Sequence, residues 1–150
     1  MHFEDFAPGD AFTTPPVEVT EAAILEFAAR YDPQPFHLDP ARARDSIYGG
    51  LIASGWHVLS LTFGQVVRLG IFEDGGQGAP GLEEVRWARP VRPGDRLRMT
   101  VTVEGKTPSR TRPDRGYVMM RFEATNQDGE VVASYRSREI FRRRTGPGAG

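Results

Sequence analysis

The sequence predicts an α+β domain in which an antiparallel sheet wraps around one long central helix. Three observations carry this expectation. The stretch from Leu51 to Leu69 is apolar nearly all round, with Leu51, Ile52, Trp56, Val58, Leu59, Leu61, Phe63, Val66 and Val67, the pattern of a buried helix. Leu97, Met99, Val101 and Val103 alternate with Arg96, Arg98, Thr100, Thr102 and Glu104, a period of two that marks a strand with one buried face. Val118, Met120, Phe122 and Ala124 repeat that period, and another strand, Val131 to about Phe141, follows the turn signal Asp128-Gly129.

The remaining elements follow in chain order. Ala11 to Val19 and Leu82 to Arg89 read as weaker strands. Thr20 is placed as an N-cap, with Glu21 in the first turn and Val19 and Ile24 spaced as a hydrophobic staple. Ile24, Phe27, Ala28 and Tyr31 keep helical spacing, and Pro33 ends that helix near Tyr31. Asp39 and Pro40 form a cap and first position for a short turn through Arg44. The central helix, taken as Leu51 to Leu69, would span roughly 28 Å. Residues 75–81 read as a loop, and Pro90, Pro93 and Gly94 as a turn.

With 150 residues the chain fits one domain, large enough to bury roughly 70% of its unfolded surface. The domain is expected over 1–142, with 143–150 as a flexible tail. There is no cysteine, which removes disulfides, zinc-thiolate sites and a cysteine nucleophile, and makes a cytoplasmic home the simplest expectation. Three scattered histidines give no metal-ligand spacing, so no metal is expected. The apolar stretch 51–72 is broken by Ser54, His57, Ser60, Thr62, Gln65 and Arg68, a poor membrane span. Residues 1–85 carry 4 basic and 13 acidic side chains, and residues 86–150 carry 15 and 7. Near-neutral overall charge and the lack of a recognition motif argue against nucleic acid.

The residues with catalytic potential lie in YDPQPFHLD, 31–39. Asp32 and His37 flank two prolines that stiffen the loop, and together they could bind a water and move its protons. Spacing alone leaves the plainer alternative open, in which Asp32 ends a helix and His37 is packed. His57 reads as a core or interface histidine and Asp39 as a helix cap. Lys106, Arg110, Arg112 and Arg115 sit in a basic segment that is either a solvated hairpin or a grip for phosphates.

The run Tyr31 to Pro40 resembles the hydratase motif D-x-N-P-h-H-x-D of MaoC-like dehydratases and (R)-specific enoyl-CoA hydratases. Asp32, Pro35, His37 and Asp39 match it. The resemblance continues in GGLIASGWH and PVRPGDRLRMTVTV, and covers about Phe6 to Arg142. It implies the hot-dog fold and reversible addition of water to a 2-enoyl thioester, with Asp32 and His37 as the acid–base pair. It places Gly55, with its backbone N–H at the start of the central helix, at the oxyanion position; its neighbours Ser54 and Trp56 would meet the substrate. A glycine retained for tight packing is the alternative there.

The resemblance further implies coenzyme A as part of the substrate rather than a separate cofactor. Arg110, Arg112 and Arg115 are candidates for its phosphates, and a homodimer or a larger assembly built from dimers is expected. Gln34 replaces the usual asparagine, Ser54-Gly55 replaces a His-Gly pair, and Phe63 stands where some hydratases carry a serine, with Thr62 the nearest hydroxyl. Two competing functions are a hot-dog thioesterase, disfavoured because 51–72 holds no carboxylate, and a non-catalytic acyl-CoA-binding subunit.

Overall fold

The period-two segments become the three long strands on which the fold is built. In the computed structural model, which describes residues 1–144, the strands are β1 (Ala11–Thr13), β2 (Val17–Glu18), β3 (Leu82–Trp87), β4 (Arg96–Pro108), β5 (Arg115–Thr125) and β6 (Val131–Arg142). All pair antiparallel in the order β1-β4-β5-β6-β3, with β2 also on β4. The expected strand Ala11 to Val19 is split in two. Pro15 and Pro16 cannot donate to a ladder, and the buried Thr14 instead bonds Met99 through both its N–H (3.0 Å) and its Oγ1, which accepts from Met99 N at 2.9 Å.

Register places one apolar row against the next. Met99 faces Ala124 and Val101 faces Phe122, while Phe122 in turn faces Tyr135 and stacks on it with centroids 4.5 Å apart. The helices are α1 (Glu21–Tyr31), α2 (Pro35–Leu38), α3 (Pro40–Arg44) and α4 (Gly55–Arg68). The helix α4 lies on this apolar face and buries Val58, Leu59, Thr62 and Val66. This is the expected layer of sheet around a central helix.

Two features of α4 correct the sequence expectation. It has 14 residues rather than 19, a length of roughly 21 Å, because Leu51 to Ser54 form an extended strap. The strap's backbone is bonded elsewhere: Ile52 N–H to Phe36 O at 3.1 Å and Ala53 N–H to Val91 O at 2.8 Å. Nor is the helix buried all round. Trp56, Ser60, Phe63 and Val67, at helical spacing, form an exposed stripe within this chain.

The first segment of the chain and the last described residues are pinned together. Arg143 meets Glu4 at 3.3 Å, and Arg144 takes Asp5 in a two-pronged pair at 2.6 and 2.8 Å. The tail expected from residue 143 therefore has its first two residues held against the domain, and 145–150 lie outside the described residues. Among the described residues no helix is long and apolar enough to cross a membrane.

Glu139 on β6 turns inward and is only 5% exposed, with no basic partner among the described residues. Burial disfavours its charged form and raises its pKa, an effect the neighbouring Ser137 hydroxyl only partly offsets. A carboxyl raised in this way stabilises the fold below its unfolded pKa and weakens it as pH rises. Glu139→Gln is therefore expected to melt higher than wild type at pH 8 and to show no gain at pH 4 in thermal melts.

Candidate active site

The site is assembled from one continuous piece of chain, residues 32–55, set against the loop after β3. Thr20 caps α1 by accepting from Ala23 N–H at 3.1 Å, and Asp32 ends it, its N–H reaching Ala28 O at 3.0 Å. Pro33 forbids a further turn, and Pro35 opens α2 at its first position. That short helix presents His37 inward, only 4% exposed. Asp39 caps α3 by accepting from Ala41 and Arg42 N–H at 2.9 and 3.2 Å, so it is a helix cap as expected.

Both imidazole nitrogens of His37 have defined partners. Nδ1 lies 2.7 Å from the Ile52 carbonyl, which can only accept, so Nδ1 carries a proton. Nε2 is then the nitrogen that exchanges, and it lies 3.3 Å from Asp32 Oδ2. Ser54 Oγ donates to the same oxygen at 2.7 Å, and Gln34 Nε2 donates to Oδ1 at 2.8 Å. Burial pushes against the charged carboxylate, but the Ser54 and Gln34 donors and the charge of His37 outweigh it and hold Asp32 below the usual carboxylate range. A carboxylate with ordered donors beside a titrating imidazole can take a proton from a bound water and return one to a neighbouring carbon.

The strap delivers the N-terminus of α4 to the same place. Ser54 is the N-cap residue but makes no cap bond, so the first-turn N–H groups, beginning with Gly55, are left open toward the cleft. These carry the positive end of the helix dipole and suit a developing oxyanion. A side chain at Gly55 would collide with the Trp87 indole, which is the contact that the close-packing reading of this glycine requires. The cleft, about 570 Å³, is lined by Asp32, Gln34, His37, Tyr48, Gly55 and Trp87 among others.

Asp32, His37, Ser54 and Gly55 are thus brought together, and Trp56 stands at the lip with its ring 5.5 Å from that of Trp87. The arginines are not brought to the cleft of this chain. Arg110 and Arg112 lie at the tip of the β4–β5 hairpin and Arg115 starts β5, where it pairs with Asp114 at 2.9 Å. Trp87 pairs with Ala133, whose row runs across to Met99; Pro108 is nine residues further along β4, roughly 30 Å. The solvated-hairpin reading describes their position. Lys106 instead reaches back to Phe3 O at 3.1 Å.

Thr62 donates to Val58 O at 2.7 Å and is buried, so its hydroxyl is used within α4. His57 is a core residue, stacked on Phe27 at 4.9 Å and held below its ordinary pKa by burial. Sequence reading passed over Tyr48, Trp87 and the Ile52 carbonyl. The first two sit in segments without periodicity or at the end of a weak strand, and a backbone carbonyl has no sequence signal.

The sequence matches the family model of the MaoC like domain over residues 4–120, and the chain belongs to that family. It is 31% identical over 110 residues to the uncharacterized protein YdeM of Bacillus subtilis, covering 73% of this chain and 78% of that one. The structure of the MaoC-like dehydratase from Rhodospirillum rubrum is similar with a TM-score of 0.90 at 42% identity, covering 97% of this chain and 99% of that chain. The (R)-hydratase PhaJ1 from Pseudomonas aeruginosa is similar with a TM-score of 0.73 at 26% identity, covering 96% and 86%. The architecture is the hot-dog fold.

Gly55→Ala forces the new methyl group against the Trp87 indole, and overpacking of this kind costs about 1–3 kcal/mol. The loss should be recovered in large part by Gly55→Ala/Trp87→Ala, compared with Trp87→Ala alone. A double-mutant cycle on denaturant unfolding reads the coupling.

Proposed function

We propose that this protein is a hydro-lyase that reversibly adds water to a 2-enoyl thioester, the acyl group being carried on coenzyme A. The observation that carries the reading is the contact of His37 Nε2 with Asp32 Oδ2 at 3.3 Å, beside the open first turn of α4. Membership of the MaoC like domain family and similarity to a dehydratase and an (R)-hydratase support it.

In the hydration direction a water held between Asp32 and His37 attacks C3. Its oxygen bonds to C3, one of its protons passes to the pair, and the C2–C3 π electrons move toward the thioester carbonyl. The Gly55 N–H faces the carbonyl oxygen as it gains charge. C2 then takes a proton from the pair, which leaves the 3-hydroxyacyl thioester and returns the pair to its starting charge. Dehydration runs the same steps backward.

A second copy of the chain is part of this reading. The exposed stripe of Trp56, Phe63 and Val67 and the unpaired edge of β3 are apolar surface and open ladder that a homodimer would cover.

Crotonyl-CoA mixed with wild type is expected to lose its enoyl-thioester absorbance. Asp32→Asn and His37→Ala should each lower kcat by at least a hundredfold while keeping the circular dichroism spectrum of the fold. Full activity in either variant would sink the reading. Stabilisation by coenzyme A without turnover of any enoyl thioester would favour the non-catalytic binder instead.

A further inference from the structure

Ser54 stands at the N-cap of α4, where a serine ordinarily accepts a hydrogen bond from a first-turn N–H. Its side chain makes no such bond. The residue is 1% exposed, and its hydroxyl donates 22 residues back along the chain to Asp32 Oδ2 at 2.7 Å. We propose that Ser54 is a positioning residue that acts through Asp32, fixing the carboxylate on His37 and biasing the proton shared by the pair toward the imidazole.

The geometry gives the reason. Oδ2 lies within reach of both Ser54 Oγ and His37 Nε2, and Oδ1 takes Gln34 Nε2. Donors on both oxygens stop the carboxylate from rotating. A proton placed on Oδ1 would face the Gln34 amide, which cannot accept it, and one on Oδ2 would turn the Ser54 hydroxyl from donor to acceptor, so protonating Asp32 either breaks a hydrogen bond or replaces a charge-assisted one with a weaker neutral one. Protonating Nε2 breaks none, because Nδ1 is already a donor to Ile52 O and the imidazolium charge then lies 3.3 Å from the carboxylate oxygen Oδ2.

Of the other ionisable groups around Asp32, Tyr31 precedes it on α1, His57 stacks on Phe27 under α4, and Tyr48 and Arg89 line the cleft. Arg89 is held by Glu130 at 2.9 Å. Gln34 stands where the hydratase motif has an asparagine, and Ser54 where its His-Gly pair has the histidine.

The kinetic part of the inference rests on the hydro-lyase reading, whereas the clamp itself does not. Carbon-13 NMR titration of the Asp32 carboxyl in wild type, Ser54→Ala and Ser54→Thr separates the two. Ser54→Ala should move the Asp32 midpoint upward and Ser54→Thr should restore it. In parallel, kcat should fall about tenfold or more in Ser54→Ala with KM little changed, and the acid limb of its pH profile should move upward.

A wild-type Asp32 midpoint in Ser54→Ala overturns the proposal, whatever the activity. If wild type turns over no thioester, the hydro-lyase reading fails while the titration still decides the role of Ser54. Should Ser54→Ala not fold, Ser54→Cys keeps the volume with a weaker donor and is expected to give a smaller upward shift; no shift in it would equally overturn the proposal.

Discussion

The hydrogen bond between His37 Nδ1 and the Ile52 carbonyl, 2.7 Å long, is the constraint on which the site depends. It assigns the proton on one ring nitrogen and so dedicates the other to exchange. It also occupies a carbonyl that a longer α4 would have used internally. The strap from Leu51 to Ser54 stays extended for that reason, and the helix begins four residues after Leu51, at Gly55. One bond thus sets both the tautomer of the imidazole and the position of the helix terminus beside it. The reciprocal bond from Ile52 N–H to Phe36 O keeps the two segments in register.

The sheet serves this arrangement as a platform. Ala53 N–H is bonded to Val91 O at 2.8 Å, so the strap is tied to the segment that leaves β3 as well as to α2. Trp87, the last residue of β3, packs its indole on Gly55, the first residue of α4. The cleft is therefore walled by an element whose own register is set by β6, with Trp87 opposite Ala133. Displacing that edge strand would change the wall without touching the acid–base pair.

Much of the framework was legible in the sequence because periodicity records burial directly. The rows Leu97 to Val103 and Val118 to Ala124 face the core as their alternation required, and Thr20 and Asp39 cap the helices that their residue types announced. The start of α4 was not legible, since Leu51 and Ile52 are as apolar as any helical residue and only long-range backbone bonds keep them extended. The exposed stripe escaped notice for a related reason: composition reports that Trp56, Phe63 and Val67 are apolar, not which surface they meet. Asp32 and His37 could be named from the motif, but the donors that hold Asp32 could not. Gln34 and Ser54 read as departures from the family pattern, whereas in the structure each bonds the carboxylate.

The pairs of Glu4 with Arg143 and Asp5 with Arg144 bring the first and last described segments of the chain within side-chain reach. In topological terms the backbone between these two segments is nearly a closed loop, and the entropy of linking them is small because they already touch. The β4–β5 hairpin tip, 109–114, lies roughly 30 Å along the sheet from the cleft. A chain cut there and rejoined between residues 4–5 and 143–144 would keep residues 32–55 and the whole of β3 and β6 in one unbroken piece. The order in which this chain is threaded is thus separable from the geometry it builds.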